Sequence, residues 1–423
     1  MTPTIKVCDA IMGTGKSSAA IAYMNSHPNG KFIYITPYLD EANRIKKGCP
    51  LLHFTEPSNK LSSYNFKKSV HTAALISKGK NIATTHQAFK SYTSTMLDDI
   101  KRHEYTLIVD ENVDVLESVD FHPDDLKLAV DAGYISDDNG TYSICKNDYH
   151  GKAFWEMFNM LRSRDLVRIT AEGKDSLFYW VLPPELFTSF KDVYILTYLF
   201  EGQSLYYFMK IYNLPYTQIG IERTSDGGYR FGEYPGYCPE YVARLKDKLH
   251  ILERPKLNEI GDDYYALSKN WYSKDGSDVE LMRNNLNNFF RNIMTEVPSS
   301  RRLCGVYKDA FTKVRGKGYA KSFLTFNSKA TNAYRDRICL TYIVNLFMNV
   351  NEKQFYLSHG IEPDEDIYAL SIMVQWIWRS AIRDGEEVYL YIPSRRMRTL
   401  LINWMNSLSK TQDGGETNEE KEL

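Results

Sequence analysis

Over the first 120 or so residues, apolar and polar positions alternate in a rhythm that predicts strands and helices in turn. Ile5-Lys6-Val7-Cys8 reads as a strand, and Ser18-Ala19-Ala20-Ile21-Ala22 as the opening of a helix. Lys31 to Ile35 gives a second strand, then Thr36-Pro37-Tyr38 and a helix carrying Leu39, Ala42 and Ile45. Lys80 to His86 is a short strand leading into a helix from Gln87, and Tyr105 to Asp110 is another strand. Strands alternating with helices imply a parallel sheet, because each parallel crossover is made by a helix. Between about 120 and 190 the rhythm breaks. Gly133-Tyr134 to Ile144 reads as a hairpin turning at Asn139-Gly140, a helix follows over Ala153 to Phe158, and Tyr179 to Pro184 is rich in aromatics. We read this stretch as an insertion whose aromatics form a small core of their own rather than a base-stacking platform. The sheet resumes at Asp192 to Thr197.

A chain of 423 residues should hold two core-forming domains. The expected division is a first domain over 1–205 with the insertion at about 120–190, a second over 206–408, and a polar, acidic, disordered tail over 409–423. The fold class is therefore α/β, with two parallel-sheet domains in tandem. A formal net charge of −1 excludes a uniformly basic surface, so any nucleic-acid contact must run along a local track. One candidate track is the basic run Arg301, Arg302, Lys308, Lys313, Arg315, Lys317 and Lys321, which reads equally well as solvated surface. The six cysteines are scattered without Cys-x-x-Cys spacing, which fits a reducing cytosol and argues against structural zinc. No apolar run reaches membrane-spanning length, so no membrane partner and a cytoplasmic location are expected.

The chemistry begins at Ala10-Ile11-Met12-Gly13-Thr14-Gly15-Lys16-Ser17, set between the first strand and the first helix. That context is the one a phosphate-binding loop requires. Gly13 and Gly15 let the backbone curl so that its N–H groups, that of Thr14 among them, face an anion, and the helix N-terminus adds its positive dipole end. Lys16 would reach the β- and γ-phosphates, and the Ser17 hydroxyl would hold Mg²⁺. About a hundred residues on, the apolar strand Tyr105 to Val109 ends in Asp110-Glu111-Asn112. Alone it would be a buried strand capped by solvated acids. Beside a phosphate loop, Asp110 is suited to hold Mg²⁺ and Glu111 to orient or deprotonate an attacking water. In the C-terminal third, Gln375, Arg379 and Arg383 recur every four residues and would share one helical face. They read either as an amphipathic helix with solvated arginines or as a guanidinium pair that stabilises a transferred phosphoryl.

With these motifs the chain resembles the superfamily 2 helicases, most of all those of bacteriophage replication and recombination modules. Ala10 to Ser17 matches their first motif and Asp110-Glu111-Asn112-x-Asp114 their second, while Gln375 to Arg383 resembles the arginine motif with Trp378 in place of its glycine. Thr36-Pro37, Thr84-Thr85-His86-Gln87, Leu196-Thr197-Tyr198 and Asn327 to Asn332 occupy the places of the weaker motifs. The resemblance implies two RecA-like domains, ATP and Mg²⁺ as cofactors, and catalytic roles for Lys16, Asp110, Glu111, Gln375, Arg379 and Arg383. It further implies an ATP-dependent DNA helicase or translocase acting on single-stranded, forked or branched DNA, with replication or recombination proteins as possible partners. Thr36, Thr84, His86, Lys329 and Thr331 are the implied nucleic-acid contacts. The same residues suit an RNA helicase, or an ATPase switch that loads or remodels proteins on DNA. No glutamine motif fits in the nine residues before Ala10, so the sequence itself does not say how a base is read.

Overall fold

The computed structural model describes residues 3–146, 148–149, 151–152, 154–169, 177–234, 246–274, 276–328 and 333–410. Ala153, Lys329, Thr331 and the tail from 411 lie outside the described residues. The chain divides into two compact units: Met1–Tyr234 with Asn349–Pro363, and Pro235–Met348 with Asp364–Leu423.

In the first unit, β1 (Thr4–Asp9) leads through the glycine loop into α1 (Lys16–Asn25), and β2 (Phe32–Thr36), β3 (Ile82–Thr85) and β4 (Thr106–Asp110) follow. All residues of β2 and β4 are buried, as expected for parallel strands covered on both faces. The helix Leu39–Gly48 buries only Ala42 and Ile45 and carries Asp40 and Glu41 in its first turn and Lys46 and Lys47 in its last, matching the helix dipole. Next come β5 (Leu116–Val119), β6 (Ile135–Asp138), β7 (Thr141–Ile144), β8 (Asp165–Ile169) and β9 (Leu177–Val181), then β10 (Asp192–Thr197), β11 (Tyr216–Arg223) and β12 (Tyr229–Gly232). The main sheet has the order β12-β11-β1-β10-β4-β2-β3 and is parallel except for the β11–β12 hairpin. This order sets the C-terminal ends of β1, β10 and β4 side by side, with Leu196 opposite both Cys8 and Asp110.

The insertion is a separate five-stranded antiparallel sheet, β5-β9-β8-β7-β6. The expected turn is there: Asn139 at φ 52° and Gly140 at φ 93° both sit in the left-handed region that a two-residue hairpin needs. Its aromatics do form its own core, with Tyr142, Phe158, Phe178 and Trp180 packed among Leu126, Ile135 and Leu166.

The first unit runs past the expected boundary at 205, because β11 pairs with β1 and carries β12 into the same sheet. It also takes back the helix Val350–Ser358, which sequence reading assigned to the second domain. Tyr179 donates a hydrogen bond to the Asn351 carbonyl at 2.7 Å, and the rings of Phe355 and Tyr356 pack on Tyr179 and Tyr207.

The second unit holds β13 (Leu249–Ile251), β14 (Arg302–Val306), β15 (Phe323–Thr325), β16 (Cys339–Tyr342) and β17 (Val388–Tyr391), all parallel, in the order β13-β17-β16-β14-β15. The molecule is thus the expected tandem of α/β parallel-sheet domains. Among the described residues, no helix is long and apolar enough to cross a membrane.

Candidate functional site

The glycine loop leaves the end of β1 and closes on α1. Gly13 at φ 89° and Gly15 at φ 97° adopt left-handed backbone that a side chain would strain, and Gly15 caps the helix. Thr14 ties the loop to itself through a 2.8 Å bond from its hydroxyl to the Ile11 carbonyl. The Lys16 ammonium donates to the carbonyls of Ala10 and Ile11, so it lies across the loop. Burial lowers its pKa, while nearby acidic groups, Asp110 among them, oppose that shift.

The tip of β4 meets this loop. The Ser17 hydroxyl lies 3.4 Å from Asp110 Oδ2, and the Tyr34 hydroxyl donates to the same oxygen at 2.6 Å. Burial pushes the Asp110 carboxyl up to about 6, against the Tyr34 hydrogen bond, with the negative charges of Glu111 and Glu41 adding to the rise. Glu111 is half-exposed and follows at φ 64°, a left-handed conformation unusual for a glutamate, with its N–H bonded to the Leu196 carbonyl at 3.0 Å. The chain thus leaves the strand sharply at the pair of acids. Asn112 then reaches the Ser204 hydroxyl at 3.4 Å.

A hydroxyl and a buried carboxylate side by side at a glycine loop are hard oxygen donors of the kind Mg²⁺ takes together with water and phosphate oxygens. The residues present therefore fit a Mg²⁺-bound nucleoside triphosphate: Ser17 and Asp110 for the metal, the loop N–H groups and Lys16 for the phosphates.

Three supporting groups were not legible as site residues. Tyr34 reads in the sequence as one more apolar position of β2. Asp9 accepts from the N–H groups of Leu199 and Phe200 at 2.8 and 3.1 Å, holding the segment after β10 against the start of the loop. Gln203 accepts from the Thr197 hydroxyl at 2.7 Å and donates to the Tyr198 carbonyl at 2.8 Å, while the Thr197 carbonyl takes the Ala10 N–H at 3.0 Å. The Leu196-Thr197-Tyr198 segment is thereby bonded directly to the glycine loop.

Other expected site residues stand elsewhere. Thr36 and Thr84 are fully buried, and His86 is 7% exposed, so their side chains offer no surface to a nucleic-acid strand. The reason is positional: Thr36 and Thr84 belong to β2 and β3 in the covered part of the sheet. His86 turns inward, its Nε2 donating to the Asp110 carbonyl at 2.8 Å, which makes it a support of the acidic strand end. Lys329 and Thr331 lie outside the described residues.

In the second unit, Gln375, Arg379 and Arg383 do not share a helical face. The helix Glu365–Ile377 stops with Trp378 as its cap, and Ser380 starts a separate 3-10 turn, Ala381–Asp384. Half-buried Gln375 lies in the last turn of the first element, Arg379 is 7% exposed and donates to the Gln375 carbonyl at 2.9 Å, and Arg383 is exposed on the second. The basic run is also divided. Arg302 is buried against the carbonyls of Val297 and Met294, Lys313 bonds to the Tyr272 carbonyl, and Lys308, Arg315, Lys317 and Lys321 are exposed.

Residues 243–405 match the family described as the YonV C-terminal Rossmann-like domain. Among solved structures, the chain aligns with the "Structure of S. tokodaii Xpd4" at 11% identity and a TM-score of 0.43, covering 95% of this chain and 94% of that one. It is also 37% identical over 416 residues to the "SPbeta prophage-derived uncharacterized protein YonV" of Bacillus subtilis (strain 168), spanning 95% of this chain and 99% of that protein. Similarity of that degree along both chains shows that this protein belongs to the YonV family.

Proposed function

We propose that the first unit binds ATP with Mg²⁺ and hydrolyses it, and that the chain uses this cycle as a DNA helicase or translocase. The observation that carries the reading is the meeting of Ser17 and buried Asp110 at 3.4 Å beside a glycine loop spanned by Lys16. Bound Mg²⁺ would neutralise phosphate charge as the terminal phosphoryl departs. The chain's residues do the rest. The loop N–H groups and Lys16 bind the phosphates. Asp110 and Ser17 fix the metal's position, with Tyr34 and His86 holding the Asp110 side chain and backbone. Glu111, turned out of the strand by its left-handed backbone, orients water and takes its proton. In the second unit, exposed Arg383 is our candidate for a phosphoryl-stabilising guanidinium. Arg379, folded onto its own helix end, positions that turn.

Nucleic acid, and with it a role in phage DNA replication or recombination, enters the reading through the family resemblance, and a prophage-derived relative is in keeping with a phage setting. One observation favours a second reading, an ATPase switch that remodels proteins on DNA: the first-unit side chains expected to touch a strand are buried. Hydrolysis measured with and without single-stranded DNA separates the two. Stimulation of tenfold or more supports a motor, and a rate indifferent to DNA supports the switch.

A further inference from the structure

The β11–β12 hairpin brings an aromatic ring to the phosphate loop. A Cβ placed on Gly15 would sit 2.6 Å from both Cγ and Cε1 of Tyr229, so the phenol ring lies directly against the backbone of the loop's second glycine. Tyr229 is half-buried at the start of β12, and Arg223 pairs with it across the hairpin, its guanidinium 5.9 Å from the ring centre. The hairpin is firmly held. Phe231 stacks on Tyr194 at 5.1 Å and packs on Tyr23 of α1, while Asp226 organises the turn by accepting from the Gly228 N–H at 3.2 Å. A tyrosine for packing alone has no need to meet the chain at its phosphate-cradling residue.

Resting on the nucleotide reading above, we propose that Tyr229, assisted by Arg223, forms the base-side surface of the nucleotide site. Phosphates seated on the loop leave the nucleoside within a sugar's length of Gly15, and a π-face with a neighbouring guanidinium is the chemistry that takes a nucleobase without hydrogen-bond readout.

Titration calorimetry of the full-length protein with Mg²⁺ tests it, using ATP and inorganic tripolyphosphate as probes. Stacking on one aromatic side chain predicts that Tyr229→Ala weakens ATP binding about tenfold. Tripolyphosphate binding should be unchanged, Tyr229→Phe should retain wild-type affinity for both, and Arg223→Ala should weaken ATP only. Equal loss of both probes in Tyr229→Ala would make the ring a mere shaper of the loop and overturn the assignment, as would no loss of either. A wild-type protein that binds tripolyphosphate as tightly as ATP overturns the base-side surface alone. One that binds neither overturns the nucleotide reading with it. Thermal unfolding of each variant confirms that folded proteins are compared, and Tyr229→Leu replaces Tyr229→Ala if the latter does not fold.

Discussion

At the scale of single residues, the site combines groups that are local in sequence with groups that are not. Gly13, Gly15, Lys16 and Ser17 were legible because one short loop carries its whole conformational demand within itself. Tyr34 was not, since its partner Asp110 is 76 residues away and a tyrosine in an apolar strand looks like core. His86 was misread for the same reason: only the fold shows that its ring turns to the Asp110 carbonyl. Glu111 makes a test of function against strain. Glu111→Gln should still bind ATP and lower hydrolysis by roughly a hundredfold or more, measured as phosphate release. Glu111→Gly relieves a left-handed backbone, so it should unfold no more easily than wild type by thermal denaturation while losing hydrolysis to the same degree. A clear drop in melting temperature for the glycine variant would show that the side chain is structural.

At the scale of elements, the hairpin at Asn139-Gly140 and the sheet strands followed from local pattern, whereas the arginine helix did not. Four-residue spacing assumes one continuous helix, and the Trp378 cap with the new turn at Ser380 breaks it. Arg379 then acts on its own unit: Arg379→Ala removes a charge-assisted bond to the Gln375 carbonyl and should cost about 1.5–3 kcal/mol in denaturant unfolding. The insertion is closed at its stem, where the Leu182 N–H bonds to the Val115 carbonyl at 3.0 Å. Replacing 116–181 with a short turn should therefore leave basal hydrolysis within a fewfold of wild type and abolish strand separation in an unwinding assay. Collapse of both activities would mean that the insertion props up the sheet. The helix Val350–Ser358 gives a pH signature. Burial raises the pKa of Glu352, with the Tyr356 hydroxyl bonded to it at 2.8 Å opposing and the Asp114 charge adding to the rise. The folded protein thus holds this proton more tightly than the unfolded chain does. Stability is lost as pH rises from the ordinary carboxylate range through the raised folded value. Glu352→Gln keeps an acceptor for Tyr356 and should flatten that loss, with a higher melting temperature than wild type at neutral pH. An unchanged pH profile would exclude Glu352 as its source.

At the scale of the whole molecule, the tandem of parallel sheets was legible because strand–helix alternation is a local signal repeated many times. The return of 349–363 to the first unit was not, because nothing in that segment's own pattern marks which core Phe355 and Tyr356 will join. The similarity to the Bacillus subtilis YonV protein extends over nearly the full length of both chains, beyond the C-terminal domain matched by the family. What such a chain does depends first on whether its loop turns over nucleotide. The most direct test compares Mg²⁺-dependent ATP hydrolysis by the wild type and Lys16→Ala, with and without single-stranded DNA, alongside thermal unfolding of each. In the proposed site Lys16 would serve phosphate charge rather than packing. The account predicts DNA-stimulated hydrolysis by the wild type, none by Lys16→Ala, and matching melting temperatures. Hydrolysis that persists in a folded Lys16→Ala protein, or a wild type that neither binds nor hydrolyses ATP, would contradict it.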